Sequence, residues 1–130
     1  MTFESHILSD LPDAIAPDGS EIRLLSTEAS RGSMVHCRLS PGLVTRPVRH
    51  LNVQEMWYCI GGTGRLWRFA DGQESVLELS EGVSCSILPG TCFQFRCDGD
   101  VPLEIVIATV PPWPGEQEAG PCEGKWPPSV

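Results

Sequence analysis

The chain has 130 residues, 41% of them hydrophobic, and a formal net charge of −8 from nine basic and seventeen acidic side chains. That length suits one domain with a real core, and the acidic balance repels phosphate backbones and anionic lipid surfaces, so neither nucleic acid nor a membrane is an expected partner. The longest uncharged apolar run, Ile105 to Val110, falls far short of the roughly 20 residues of a spanning helix, and Met1 to Leu11 carries acids and no Lys or Arg, unlike a secretory leader.

Residues 1 to 20 read as loop, with Asp10-Leu-Pro-Asp and Ala16-Pro-Asp-Gly-Ser as turn signals, and predict a lid or edge segment rather than core. Glu21 to Leu25 is the first clear strand. After a loop over Ser26 to Ser33, Val35, Cys37 and Leu39 alternate with His36, Arg38 and Ser40, the period of a half-buried strand, and Pro41-Gly42 ends it. This alternation puts His36 at the surface or rim.

Thr45 to His50 and Glu55 to Ile60 follow as strands, and Gly61-Gly-Thr-Gly64 turns the chain without the helix and lysine of a phosphate-binding loop. Arg65 to Ala70 and Glu74 to Leu79 are joined by Asp71-Gly72, a hairpin signal. Val83 to Leu88 ends at Pro89-Gly90, and Cys92 to Cys97 and Leu103 to Val110 flank the turn Asp98-Gly-Asp-Val-Pro102. No window carries a helical stripe. Strands at this spacing predict an all-β, closed or sandwiched antiparallel jelly roll.

The chain divides into residues 1–32, an N-terminal extension with the first strand, a barrel over 33–110, and a tail over 111–130. Half of the twelve prolines fall in that tail, with Trp113 and Trp126. Prolines deny it helix and central strand, and two tryptophans are costly to leave in water, so the tail is expected to lie across the barrel or a dimer partner. The six cysteines include no Cys-x-x-Cys pair, and Cys37, Cys59 and Cys85 sit in strand patterns as small hydrophobes. They read as thiols of a reducing cytoplasm without a disulfide framework, although an even number leaves a secreted framework open.

The stretch from Gly42 runs five residues to Val48-Arg49-His50, four to Glu55 and six to Gly62; from Gly82 five residues lead to Leu88-Pro89-Gly90, then Thr91-Cys92, Phe93, three residues, and Cys97. These spacings resemble the two motifs of the cupins over roughly residues 33 to 110, with Val48 and Phe93 at histidine positions and Cys97 at an asparagine position. The resemblance implies a jelly-roll barrel and a homodimer. In cupins that bind metal, two histidines and a glutamate of the first motif join a histidine of the second. Here His50 and Glu55 keep their places, and Cys92, one residue out of register, is a donor that a local bulge would turn inward, with Asn52 or Gln54 as a weak oxygen beside it. The cofactor expectation is therefore none, or a weakly held divalent metal on His50, Glu55 and Cys92.

Strand parity groups Arg46, Val48 and His50, then Glu55 and Trp57, then Phe93 and Phe95, as cavity-facing sets. Such a lining, apolar and aromatic with few polar groups, suits a small organic ligand. His50 and Glu55 are the candidate acid–base pair, and Arg46 or Arg68 the candidate holders of an anionic or carbonyl oxygen. Three functions stay open: a non-redox isomerase, cyclase or lyase using His50 and Glu55; a metal-dependent enzyme such as an oxygenase; and a non-catalytic small-molecule binding module. A buried His–Glu hydrogen bond without any function is the plain structural reading of the same pair.

Overall fold

A computed structural model describes residues 3–130. The first half of the chain forms β1 (Ala14–Ile15), β2 (Glu21–Ser26), β3 (Ser33–Leu39), β4 (Val48–His50), β5 (Gln54–Gly61) and β6 (Gly64–Ala70). The second half adds β7 (Gln73–Leu79), β8 (Ser84–Ile87), β9 (Cys92–Cys97), β10 (Leu103–Val110), one 3-10 turn at Glu116–Glu118, and β11 (Ala119–Pro121). The strands make two antiparallel sheets, ordered β1-β2-β3-β10-β5-β8 and β11-β4-β9-β6-β7. This is the all-β jelly roll that the strand spacing predicts.

The core lies between the sheets, where alternation sends Cys37 and Leu39, Trp57 and Cys59, Phe93 and Phe95, and Ile105 and Ile107 inward. Gly62 closes the β5–β6 turn at φ +78, and a Cβ there would collide with the Pro102 carbonyl of the facing loop. A side-chain-free residue is required at that approach.

The Thr45 to His50 strand begins later than expected. Pro47 has no N–H to give a ladder, so β4 starts at Val48, and Thr45 instead bonds the Phe95 backbone through its own N–H and hydroxyl. Strand parity therefore ends at Pro47, and Arg46 is exposed rather than cavity-facing. His36 also departs from expectation. It points away from the core on β3, yet it is buried at 3% exposure. The N-terminal segment runs over that face, and buried Arg23 holds it by donating from Nε to the Ser9 carbonyl (2.9 Å) and from Nη2 to the Asp10 carbonyl (2.8 Å). Burial pushes the His36 imidazole pKa down, against the Glu104 carboxylate 3.3 Å away.

The tail lies on the outer face of the five-stranded sheet. Gln94 points outward from β9 and is fully buried beneath it. Its Oε1 accepts from the N–H groups of Lys125 (3.0 Å) and Trp126 (2.9 Å), and its Nε2 donates to the carbonyls of Thr45 (2.8 Å) and Trp126 (2.7 Å). The Trp126 ring sits under the guanidinium groups of Arg65 and Arg96, which share Asp98. Cys92, the other outward residue of this part of β9, forms a disulfide with Cys122. The expectation of no disulfide is thereby corrected.

Replacing Gln94 by Ala strands the buried Thr45 carbonyl and three part-buried backbone groups of the tail, a buried one being worth about 1–3 kcal/mol when left unpaired. Gln94→Ala is expected to lower the thermal midpoint by roughly 10 °C. An unchanged melting curve would show that the tail is held without this amide.

Candidate active site

At one end of the barrel the sheets separate around a cavity of about 380 Å³. Its walls come from distant parts of the chain: the β1–β2 hairpin supplies Asp18 and Ser20, β4 supplies Val48 and His50, β5 supplies Glu55 and Trp57, β9 supplies Phe93, and the tail supplies Trp113. The His50 ring meets the edges of Phe93 (5.1 Å between centroids) and Trp113 (5.0 Å). The Phe93 and Phe95 rings stand edge-on to Trp57. Packing of this kind fixes ring orientation.

Within this lining the His50 Nδ1 lies 3.9 Å from the Glu55 Oε2. That is too long for a hydrogen bond, and Nδ1 is buried without a partner among the described residues. Glu55 is anchored by its other oxygen, which accepts from the Trp57 indole N–H at 2.8 Å. Burial raises the Glu55 pKa to about 7; the indole hydrogen bond opposes the rise and the charge of Asp18 adds to it. Burial also holds the His50 imidazole below its ordinary value, with Glu118 pulling the other way. Both groups are pushed toward their neutral forms, so the pair is not an ion pair at neutral pH.

Glu118 sets the link between the two. Its carboxylate accepts from the backbone N–H of Asn52 and from that of Val53 (2.7 Å), and its carbonyl accepts from Leu51 N–H (3.1 Å). Burial would raise its pKa, but these N–H donors outweigh that and keep it low and ionised. A residue of the tail thus holds the turn that joins His50 to Glu55.

Asp18 is a site residue that sequence reading missed. It sits at the tip of the β1–β2 hairpin, where its Oδ1 accepts from the Ser20 hydroxyl (2.6 Å) and N–H (2.9 Å). Burial raises its pKa, against those bonds and the charge of Arg46. The signal was the Asp18-x-Ser20 spacing, which favours a side-chain turn but says nothing about which way it faces. Cys37 also lines the cavity, and burial pushes its thiol far up, so it is an uncharged wall group.

Of the expected ligand-contacting residues, Val48, Trp57 and Phe93 line the cavity, and Phe95 lies behind Trp57. Two arginines are corrections. Arg46 stays outside, its backbone N–H donating to the Asp18 carbonyl (2.8 Å) and its guanidinium reaching the carbonyl of Pro17 (3.5 Å). Arg68 donates to the Ser86 carbonyl (2.8 Å) and ties β8 to the other sheet away from the cavity. Cys92 is a third correction, since no bulge turns it inward and its sulfur is bonded to Cys122.

A divalent first-row metal generally takes at least three protein donors. Among the described residues no group of three or more His, Cys, Asp or Glu side chains is placed to hold one. Valine, phenylalanine and a disulfide sulfur stand where further donors would be, so the residues present do not fit a metal centre.

A carboxyl raised from 4.5 to about 7 stabilises the fold fully below the lower value and loses that contribution as pH rises through the higher one. At 1.36 kcal/mol per unit the loss is on the order of 3 kcal/mol. Glu55→Gln, which still accepts from Trp57, is expected to melt about 10 °C higher than the wild type at pH 8. Near pH 4 the two should melt together, and a variant less stable at both pH values would contradict the burial cost.

No protein-family model matches the sequence, and no curated protein matches it either. Solved structures do superpose on it. Recombinant oxalate oxidase in complex with glycolate matches with a TM-score of 0.72 at 18% identity over 86% of this chain and 61% of that one. CapF with the inhibitor 3-isopropenyl-tropolone matches with a TM-score of 0.71 at 15% identity, covering 84% of this chain and 33% of that one. Oxalate decarboxylase from Bacillus subtilis matches with a TM-score of 0.66 at 19% identity, covering 75% and 27%. This chain spans between 27% and 61% of the length of these proteins. At such identities the likeness concerns architecture, and on that architecture the chain is a cupin-fold protein.

Proposed function

We propose that this protein is a non-redox enzyme of the isomerase, cyclase or lyase type that moves a proton on a small organic molecule held in its barrel. The observation that carries the reading is the buried, unpartnered His50 Nδ1 beside the free oxygen of Glu55, in a cavity walled by aromatic rings. A neutral imidazole, held below its ordinary value by burial, beside a carboxyl raised by burial to about 7 is an arrangement that general acid–base catalysis can use. In one turnover His50 takes a proton from the substrate and the protonated Glu55 returns one to a second substrate atom; a proton then passes between the two residues to reset them. Burial in an enclosed lining supports both steps, because water is kept from competing for the proton.

The oligomer expected from the resemblance finds support on the outer face of the six-stranded sheet. Met56, Tyr58 and Ile60 point outward from β5, and Met34 on β3 faces the same way across Ala108 of β10. All four are exposed, and a contiguous apolar row of this kind suits a second copy of the chain. No described helix is long and apolar enough to cross a membrane. The Cys92–Cys122 bond weighs against the cytoplasmic reading, because such bonds persist in oxidising compartments, and the buried free thiols of Cys37, Cys59 and Cys97 fit either setting.

Small carbonyl compounds incubated with the protein in heavy water and followed by proton NMR are expected to exchange carbon-bound hydrogen for deuterium. His50→Ala and Glu55→Gln should each slow that exchange by about a hundredfold or more. Ligands that bind without exchange or turnover would reject catalysis in favour of a binding module. Light scattering is expected to give a dimer, converted to monomer by Tyr58→Glu; a monomeric wild type at micromolar concentration would refute the interface.

A further inference from the structure

The polar groups of the cavity are one-sided. Asp18 and Glu55 face it as buried carboxyls, Glu116 stands at its rim, and Ser20, Ser33 and Thr109 add hydroxyls. Among the described residues no Lys or Arg lines it, and the nearby Arg46 guanidinium points to carbonyl groups outside. The imidazole of His50 is the one basic ring in the lining among the described residues, with ionised Glu118 behind it. Three acceptor atoms receive no hydrogen bond from the described residues: Oδ2 of Asp18, Oε2 of Glu55 and Nδ1 of His50. Asp18 and Glu55 line the cavity, whereas the His50 Nδ1 is fully buried and presents no accessible surface to it.

We infer that the barrel selects a ligand with a primary ammonium group on a small apolar body, with Asp18 as its counter-ion and the free oxygen of Glu55 as a second acceptor. This specificity names the substrate class of the site proposed above, and it rests on the acid–base reading for the chemical step after binding. An ammonium carries three N–H donors and no acceptor, which suits the two unfilled carboxyl oxygens of Asp18 and Glu55 in a lining that holds no cationic side chain among the described residues. It supplies the positive charge that two desolvated carboxyls require. The aromatic wall of Trp57, Phe93 and Trp113 adds attraction for a desolvated cation. A carboxylate or phosphate would meet acidic groups and no cation, at a cost in repulsion.

Binding of benzylamine, benzyl alcohol and benzoate, measured by titration calorimetry at pH 8, separates cation, neutral body and anion on one ring. The butyl series of amine, alcohol and carboxylate repeats the comparison, so that a poor fit of the ring does not decide the outcome. In at least one series the amine is expected to bind at least about tenfold tighter than the alcohol and the carboxylate. Asp18→Asn, which keeps the bonds from Ser20, should melt no lower than the wild type and lose about tenfold or more for the amine while leaving the alcohol unchanged. Tighter carboxylate binding, amine binding indifferent to Asp18→Asn, or no amine binding at millimolar concentration would each overturn the inference. Amine binding without turnover of any amine would leave it standing and remove the catalytic reading. Turnover of anionic substrates through His50 and Glu55 would do the reverse.

Discussion

Strand β9 is used on both faces, and the rest of the molecule depends on that. Its odd-numbered residues, Phe93 and Phe95, give the cavity its floor and its packing behind Trp57. Its even-numbered residues, Cys92 and Gln94, hold the tail by a covalent bond and three hydrogen bonds. Strand alternation makes the two jobs separable, since neither set can intrude on the other without a slip of register. The same tail then brings Trp113 over His50 and Glu118 under the turn that joins His50 to Glu55.

The site is electrostatically expensive. Two carboxyls and an imidazole are placed where water is scarce, and only part of their hydrogen-bonding capacity is met by the protein. Unmet polar groups of this kind lower stability, and they persist where the rest of the fold is secure enough to hold them. Here the surrounding rings and the Trp57 indole fix the acidic groups without neutralising them. Glu118 shows the opposite arrangement, because the same side-chain type, supplied with backbone donors, serves only as a clamp.

Much of this was legible in the sequence. Motif spacing located His50 and Glu55, alternation placed Val48, Trp57 and Phe93 beside them, and turn residues marked most strand boundaries. What escaped was governed by contacts between segments far apart in the chain. Period-two reasoning carried Arg46 inward because it took no account of Pro47, which breaks the ladder. It put His36 at the surface because a strand's outer face is ordinarily wet, and no local pattern shows that Arg23 draws the N-terminal segment across it. The Cys92–Cys122 bond joins residues 30 apart in the chain, and spacing alone does not select that pairing among six cysteines. Asp18 lay in a turn whose direction is set by the Arg46 backbone, another distant partner.

Asp18 and Trp113 close the same cavity from opposite ends of the chain. Between them, β3 must find β10 and β4 must find β9, pairings whose loop-closure entropy makes them slow compared with local hairpins. The β6–β7 hairpin can form early, but the cavity has no walls until the last segments dock. During synthesis the acidic groups of the site therefore remain solvated and ordinary, and their unusual protonation is acquired only once the segment around Trp113 has docked.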